Sequence, residues 1–535
     1  MRHRHSAVRG IRAAVLTTSV LATVCLLPLA GCGGNDTAQR QQEADAIAKG
    51  IEAYLGMMTD PNQPVGLRHD KVTVTPNQGD KSFAVTITGI KFADAKGTGL
   101  NVGEVDYRLT PQDANTYQVS DLKVPQDLPI LGEDGKAAAD IKFETTAFTA
   151  VWSTPLQNFL KLDWQAKNVS VTAADQPNLV AKADSLAIEG DGKDNGKGQL
   201  NQTSTFTVAG ISVVDPTDGT DFTLAKVTGK VGFDDFDFTA YRTQMLKLKS
   251  LMAKIAPAVA AEAQGMTEGT AAPETPAAQM TDDDRKALAD VIGTLPKTMS
   301  GYSYGLSAEG LVVKDKDGAT PAKLAEGGMD FALKGLNTDK AELDFGLKHS
   351  GLELSGPEFA DPMVQALLPK SGDLSVAATD IPVPALVDAV VKQIPQLTSS
   401  DPSVAQGGQF ALMGALMSAL SQSTIKVRVD PSHINAEKAQ LTADGELKLA
   451  LNSPTMAVGA LNLALKGLDD VITMANAMAQ TSPDAADAIG MLQMMKGIAK
   501  REDGGDGKPV DKFAVEFAPT GAITVNGKPL EGLMQ

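Results

Sequence analysis

The sequence has little cysteine, little aromatic residue and no excess of positive charge, and each shortage excludes a class of protein. Two cysteines in 535 residues exclude a disulfide framework and any zinc or iron–sulfur site built from several cysteines. Lys and Arg number 48 against 65 Asp and Glu, for a net charge of −17. That balance argues against a nucleic-acid binder, which needs clustered cations. Aromatic residues make up 4% of the chain, so aliphatic side chains and Met must supply most of the core.

The rest of the composition is that of an ordinary globular protein. Hydrophobic residues make up 43% and charged residues 21%, which argues against intrinsic disorder. The length predicts about two to four domains and is enough to bury a large core without a metal or a disulfide.

The N-terminus has the pattern of a secretory signal peptide. Four arginines and no acidic residue precede an apolar stretch from Ala13 to Leu29, and small residues follow it. An uncleaved membrane span is the alternative, but about 17 apolar residues are at the short limit for a bilayer. The segment Leu29-Ala30-Gly31-Cys32 resembles the lipobox of bacterial lipoproteins.

This resemblance implies cleavage between Gly31 and Cys32 and acylation of Cys32, for example with palmitate. The chain would then be anchored by lipid in the cell envelope, with its body facing the periplasm and the outer membrane slightly favoured. Cys25 would leave with the signal peptide, so the folded part would have no free thiol. Loss of residues 1–31 would change the net charge to −21, and we expect such a body to stand off an anionic membrane surface.

The pattern of the remaining chain predicts a β-dominated α+β fold, with long curved antiparallel sheets and packed amphipathic, Met-rich helices. Alternation of apolar and polar residues predicts strands, for example at Phe83–Ile87 and Leu343–Leu347. Turns are predicted at Glu189–Gly192, and hairpins at Asp444-Gly445 and Asn526-Gly527. The predicted divisions are the signal peptide (1–31), a tether with an amphipathic helix (32–60), a β-rich lobe ending in a helix (61–264), a linker (265–282) and a second α+β lobe (283–535).

A short pattern, apolar-x-apolar-x-Gly-apolar, occurs four times. Its glycines are Gly89, Gly210, Gly335 and Gly467. A glycine at the end of a strand suits a bulge or a bend. The four copies indicate either chance in a Gly-rich β protein or a duplicated strand unit.

Candidate catalytic motifs fail on their local context. Gly301-Tyr-Ser303-Tyr-Gly305 matches the G-x-S-x-G nucleophile motif, but a helix precedes it and a strand follows, which is the reverse of the required order. Ser423 and Lys426 fit S-x-x-K but would point to opposite faces of a strand. The stretch Asp191–Gly196 lacks the oxygen ligands of a calcium loop. His349, beside a strand, is expected to be solvated. We therefore expect no catalytic residues, no metal site and no cofactor.

Methionines recur in the predicted helices of the second half, and Met lines adaptable apolar surfaces, including binding grooves. Ordinary core packing is the alternative interpretation. The candidates for lining a ligand groove are Met413, Met417, Met474, Met478, Met491, Met494 and Met495.

The sequence pattern of the chain resembles that of the YdgA-like and AsmA-like envelope proteins. The resemblance lies in strands with the pattern apolar-x-apolar-x-Gly-apolar, in the scarcity of aromatic residues, in a single N-terminal anchor and in a terminal hairpin around Asn526-Gly527. It is best over 330–530, and it transfers no functional residues. It implies long, curved antiparallel sheets and a part in handling lipids. Those families anchor through a transmembrane helix, whereas this chain has Cys32.

We expect a non-enzymatic lipoprotein that binds or carries an apolar ligand such as a lipid. The alternative is a scaffold that binds other envelope proteins.

Overall fold

The fold is an antiparallel β structure with several helices, seen in a computed structural model. Strands make up 52% and helices 26%, which confirms the predicted β-dominated α+β class. The structure describes residues 37–58, 66–94, 97–175, 180–214, 219–251, 280–399, 401–423, 425–451, 453–478, 483–505 and 507–530. The predicted signal peptide, Cys32 and most of the predicted linker lie outside the described residues.

The chain divides into two compact units. The first contains Met1–Thr275 and Lys314–Gly318, and the second contains Pro276–Val313 and Ala319–Gln535.

The first unit is one helix followed by an antiparallel meander. Its first elements are α1 (Thr37–Met58), β1 (Gly66–Arg68), β2 (Lys71–Pro76), β3 (Phe83–Ala93), β4 (Gly99–Pro111), β5 (Thr116–Lys123) and β6 (Asp127–Leu131). The longer elements follow: β7 (Ala137–Ser153), β8 (Asn158–Ala173), β9 (Val180–Asp194), β10 (Leu200–Val214), β11 (Asp221–Phe236) and α2 (238–251). Both β1 and β2 pair with β3, which pairs with β4, and both β5 and β6 bridge β4 to β7. From β7 to β11 each strand pairs with the next.

Helix α1 supplies one side of the core of this unit. Ile47, Ile51 and Leu55 recur at helical spacing, and each is fully buried, as the amphipathic pattern predicts. Tyr54 meets Trp152 edge-to-face, with ring centroids 6.4 Å apart. Trp152 in turn contacts Phe159. Tyr54, Trp152 and Phe159 therefore form an aromatic cluster between α1 and the sheet, where their large area contributes to burial.

Glycine has a steric role at two copies of the repeated pattern. Gly89 and Gly210 have φ of 67° and 65°, in the left-handed region that glycine tolerates best. A Cβ at Gly89 would clash with the carboxylate of Asp70, and one at Gly210 with that of Asp184. Both glycines lie within strands, so the same device bends two strands of the first unit.

The second unit is also an antiparallel meander, with most of the helices. Its first elements are α3 (Asp282–Thr294), a 3₁₀ turn (Leu295–Thr298), β12 (Gly301–Lys314), β13 (Ala322–Lys334), β14 (Ala341–Ser350), β15 (Glu353–Leu354), a second 3₁₀ turn (Pro357–Phe359), α4 (Pro362–Leu367), β16 (Ser371–Ile381), α5 (Val383–Leu397) and α6 (Pro402–Ser421). The last are β17 (Lys426–Asn435), β18 (Gln440–Leu449), β19 (Ala457–Lys466), α7 (Leu468–Met478), α8 (Pro483–Ile498), β20 (Lys500–Asp503), β21 (Pro509–Phe517), β22 (Ile523–Val525) and β23 (Lys528–Pro529).

The sheet order follows the chain closely. Strand β12 pairs with β13, β13 with β14 and β15, and β14 with β16. The series continues through β17, β18 and β19 to β21, whose other side pairs with β20 and β22. Every pairing is antiparallel, as the scarcity of helices between most strands predicts.

Two predicted turns are wrong. Asp444-Gly445 lies within β18, and Glu189–Gly192 lies within β9. In both places the neighbouring strands supply a continuous ladder, which overrides the local turn preference. The prediction at Asn526-Gly527 is right, because both residues have positive φ, 52° and 78°, as a two-residue hairpin requires.

Three helices of the second unit pack together. Arg285 of α3 donates from Nε to Thr398 Oγ1, at the end of α5, over 3.2 Å. Helix α6 comes close to the same end of α5, because a Cβ at Gly408 would lie 2.8 Å from the Cβ of Gln396. Glycine at that position therefore permits the close approach of the two helices.

Candidate functional site: the apolar face of the second sheet

Strand register aligns four apolar side chains across the second sheet. Leu306 pairs with Met329, Met329 with Leu347, and Leu347 with Leu374. Directly paired residues of antiparallel strands lie on the same face of a sheet. These four residues, the apolar row, are exposed by 39%, 37%, 49% and 40%. The row crosses four strands, so it is about 14 Å long at the usual strand spacing.

The apolar row borders a wider apolar surface. One row further along the strands, Tyr304, Phe331, Phe345 and Val376 pair in the same sequence and are half-buried. Beyond β16, Val429, Leu461 and Val515 continue that row as far as β21. The apolar face therefore continues across most of the sheet. Contiguous exposed apolar surface of this kind marks a ligand groove or an interaction site.

The opposite face of the same strands is charged. Lys334 Nζ lies 2.6 Å from Asp344 Oδ2, and Lys348 Nζ lies 2.7 Å from Glu326 Oε1. These residues alternate along β13 and β14 with the members of the apolar row. Water therefore solvates the charged face favourably. The apolar row lies on the other face of the same strands, where its exposure is unfavourable.

A buried ion pair lies on the same face of the sheet as the apolar row, on strands β21 and β20. Leu441, Leu465, Asp511 and Arg501 pair in order across β18, β19, β21 and β20. The Asp511 side chain is completely buried and accepts hydrogen bonds from the Arg501 guanidinium. Arg501 also donates to Asp469 at the start of α7. A buried carboxylate needs such a partner, so this cluster ties α7 to the edge of the sheet.

The charges of this cluster reinforce each other. Hydrogen bonds from Lys496 and Arg501 hold the pKa of the Asp469 carboxyl below its usual value. Hydrogen bonds to Asp511 and Asp469 raise the pKa of the Arg501 guanidinium. Both shifts favour the charged forms at neutral pH, which keeps the cluster ionised.

His349 is the polar side chain next to the apolar row. It follows Leu347 by two residues in β14, so both lie on the same face. Its Nδ1 atom is buried and has no hydrogen-bond partner among the described residues. His349 is half-buried, so the expected solvation holds only in part: its imidazole packs against Gly372, and Nδ1 is buried.

The predicted methionine candidates lie on three helices. Met413 and Met417 are on α6, Met474 and Met478 on α7, and Met491, Met494 and Met495 on α8. Met413 and Met491 are each 63% exposed, and Met494 is 38% exposed. Met417, Met474 and Met495 are half-buried, and the side chain of Met478 lies outside the described residues. Helix α7 packs against α8, and α6 against α5.

The motifs that sequence analysis considered for catalysis or metal binding have the following positions in the structure. Ser303 is exposed within β12, between Tyr302 and Tyr304. Ser423 lies just after α6, where it donates to the carbonyl of Leu420, so the prediction that it shares a strand with Lys426 is wrong, because β17 begins only at Lys426. Asp191 lies in β9, before the turn.

Two kinds of feature are absent from the described part of the chain. No group of three or more His, Cys, Asp or Glu side chains there is arranged to hold a metal ion. No helix there is both long and apolar enough to span a bilayer.

Comparisons with known proteins give no family and no relative. No protein-family model matches the chain, and neither a curated protein nor a solved structure matches it significantly. The arrangement of its own residues is therefore the basis for any functional conclusion.

Sequence reasoning missed the apolar row and favoured the helices. The alternation that predicts a strand at Leu343–Leu347 already contains Leu347, one member of the apolar row. It does not tell which face of a strand stays uncovered, because that depends on the packing of distant segments. Four apolar positions in the neighbouring strands β12, β13, β14 and β16 are the signal that was present.

Proposed function

We propose that the protein binds a lipid or a similar apolar molecule on the apolar face of its second sheet. The observation that carries this proposal is the apolar row of Leu306, Met329, Leu347 and Leu374, which is exposed on a sheet whose other face is charged. Ligand sites are mostly apolar, with a few polar groups that fix orientation. The proposal includes no catalytic step.

The size of the apolar row suits one acyl chain. A bilayer core is about 30 Å thick, so each of its two layers of acyl chains spans about 15 Å. The apolar row spans about 14 Å across its four strands. A chain of lipid length laid across the strands would therefore cover the exposed positions, and the half-buried Phe331 and Phe345 would border it on one side.

The predicted lipoprotein anchor supports the same proposal. If Cys32 is acylated, the protein is held at the surface of a membrane, where lipids are abundant. We propose an envelope lipoprotein that faces the periplasm and binds or carries lipid there. The lipobox pattern Leu29-Ala30-Gly31-Cys32 supports this anchoring.

Photo-crosslinking tests the proposal directly. The full-length chain is irradiated with a fatty acid that carries a photoactivatable diazirine, and labelled peptides are identified by mass spectrometry. Label is expected in β12, β13, β14 and β16. Label confined to α6, α7 and α8 would instead assign the ligand to the methionine helices.

A matched pair of variants makes the test specific. Met329→Gln changes the apolar row, whereas Met456→Gln changes an exposed methionine in a turn outside the strands. Met329→Gln is expected to reduce labelling several-fold, and Met456→Gln to leave it unchanged. Equal labelling of all three proteins, or label spread over every exposed apolar residue including Phe410, would contradict the proposal.

A further inference from the structure

We infer that the apolar face of the second sheet takes a lipid with two acyl chains, one on the apolar row and one on a longer row of the same face. This inference rests on the proposed function and specifies its ligand class, a diacyl lipid.

The longer row crosses nine strands of the second sheet. The nine residues, the long row, pair in order from β12 to β22: Tyr302, Leu333, Leu343, Ala378, Val427, Leu447, Gly459, Phe517 and Ile523. Tyr302 precedes Leu306 by four residues in β12, so the long row and the apolar row lie on the same face. Nine strands at the usual spacing span about 38 Å.

Solvent reaches the long row along its whole length. Each of its nine residues is half-buried, and none is buried. Side chains on a sheet are flanked by their cross-strand neighbours, so partial exposure is typical of a sheet face that no second layer covers. In the first unit, by contrast, Ile87 and Leu109 belong to the core and are completely buried. The residues that the structure describes therefore leave the long row accessible to a ligand.

The other face of these strands stays charged as far as β21. Arg428, Glu446 and Glu516 are exposed, and each lies next in sequence to a member of the long row. Successive residues of a strand point to opposite faces. The apolar surface is therefore confined to one face over the full width of the sheet.

The open part of the apolar face changes level at β16. Beyond that strand, the apolar row is continued by residues that the fold covers, because Ser432 and Phe513 are each only 5% exposed. The long row stays half-buried on the same strands, from Val427 on β17 to Ile523 on β22. The face thus has two open surfaces, the apolar row on β12–β16 and the far half of the long row on β17–β22.

Each open surface has the length of one acyl chain. The apolar row spans about 14 Å, and the far half of the long row, on five strands, spans about 19 Å. One layer of acyl chains in a bilayer is about 15 Å thick. A single chain would therefore leave one of the two surfaces in contact with water, where apolar area is unfavourable.

A two-chain lipid covers both surfaces at once. Val376 and Val429 pair directly where the two surfaces meet. The glycerol of the lipid would lie there, with its two chains directed to opposite sides of the sheet. Once the first chain is bound, binding of the second is intramolecular, so the two-chain lipid is expected to bind at least tenfold more tightly than its one-chain counterpart.

Two lipids that differ in the number of chains test this inference. Didecanoylphosphatidylcholine and decanoyl lysophosphatidylcholine have the same headgroup and the same chain length. Each is titrated into the full-length protein by calorimetry below its micellar concentration. We expect one molecule of the two-chain lipid per protein, but two molecules of the lysolipid with at least tenfold weaker affinity.

A matched pair of variants locates the second chain. Leu447→Gln changes the far half of the long row, and Glu446→Gln changes its exposed neighbour on the charged face. Leu447→Gln is expected to reduce the lysolipid count from two to one and to weaken binding of the two-chain lipid several-fold. Glu446→Gln is expected to change neither value. Equal effects of the two variants, or no effect of Leu447→Gln, overturn the inference.

The remaining outcomes separate this inference from the proposed function. Binding of neither lipid is a failure of the proposed function itself. One lysolipid per protein, with equal affinity for both lipids, leaves lipid binding intact and overturns the two-chain ligand. Two lysolipids without tighter binding of the two-chain lipid indicate two separate sites and also overturn it.

A second measurement covers the case in which Leu447→Gln does not fold. The unmodified protein is irradiated with a two-chain lipid that carries a diazirine on both chains. Label in β12–β16 together with label in β17–β21 supports the inference. Label confined to one of these two groups of strands overturns it.

Discussion

Arg501 donates two hydrogen bonds to the carboxylate of Asp511, from Nε to Oδ1 over 2.9 Å and from Nη2 to Oδ2 over 3.1 Å. The Asp511 side chain is fully buried, whereas that of Arg501 is 37% exposed. The same guanidinium reaches Asp469 through Nη1, over 3.0 Å. One arginine therefore neutralises the buried carboxylate and joins the sheet edge to α7.

Removal of this arginine is expected to destabilise the second unit. Arg501→Met leaves the buried Asp511 charge without its partner, which costs about 3–5 kcal/mol in fully buried pairs. Partial exposure of Arg501 reduces the expected loss to about 2 kcal/mol. Hydrogen exchange of the β21 amides measures the opening free energy. The control is Arg428→Met, whose partner Asp430 is partly exposed, and it is expected to have no measurable effect. Equal losses in both variants would show that burial of Asp511 is not the cause.

The stability of the protein is expected to fall in acid, partly through Asp469. The pKa of this carboxyl is lowered in the folded protein by Lys496 and Arg501. Its stabilising effect is therefore fully present above the unfolded pKa of about 3.9 and is lost as the pH falls through the lower, folded value. Unfolding by urea at pH 7 and pH 3 should show a smaller loss in Asp469→Asn than in the unmodified protein. An identical loss would contradict the assignment.

The packing of α1 predicts a large difference between two leucines of the first unit. Leu55 on α1 is completely buried, whereas Leu246 on α2 is 41% exposed. Leu55→Ala is expected to lower the free energy of unfolding by about 3 kcal/mol, through lost transfer energy and a cavity. Leu246→Ala should cost under about 1 kcal/mol. Trp152 and Trp164 both belong to this unit, so tryptophan fluorescence in urea follows its unfolding. Similar losses would show that α1 is not part of the core.

The lipobox pattern predicts which cysteine carries lipid. In a bacterial host fed an alkyne analogue of palmitate, the protein should incorporate label and remain with the membrane fraction. Cys32→Ser should abolish the label, because the acylated residue is removed. Cys25→Ser should have no effect, because that residue lies in the predicted signal peptide. Labelling that survives Cys32→Ser would disprove the predicted anchor.

Strand positions were predictable to the extent that local pattern determines them. The alternation at Phe83–Ile87 and at Leu343–Leu347 lies within β3 and β14, because one face of each strand carries most of the apolar residues. Turn positions were less predictable. Asn526-Gly527 forms a hairpin at the end of a strand, whereas Asp444-Gly445 is held extended between β17 and β19. The turn preference of such Asn-Gly and Asp-Gly pairs produced a turn at Asn526-Gly527, whereas pairing with two neighbouring strands overrode it at Asp444-Gly445.

The candidate site was less predictable than the fold. Met413 and Met491 drew attention because Met is a frequent residue of binding grooves, and both are exposed. The apolar row could not be distinguished from an ordinary core pattern, because a buried and an uncovered face have the same alternation. The sequence placed His349 beside a strand. Its cross-strand partners Gly327 and Gly372 could not be predicted, because they belong to other strands.

Composition and local periodicity alone determined the β-dominated class and the amphipathic α1. The lipid anchor at Cys32 stays a prediction that rests on a local resemblance to the lipobox. These depend on residues close together in the chain, so a linear pattern is enough. Tertiary structure decided that Leu306, Met329, Leu347 and Leu374 form one exposed row, and that Asp511 is buried against Arg501. Those facts depend on the register of strands far apart in sequence and on which face the rest of the chain leaves open.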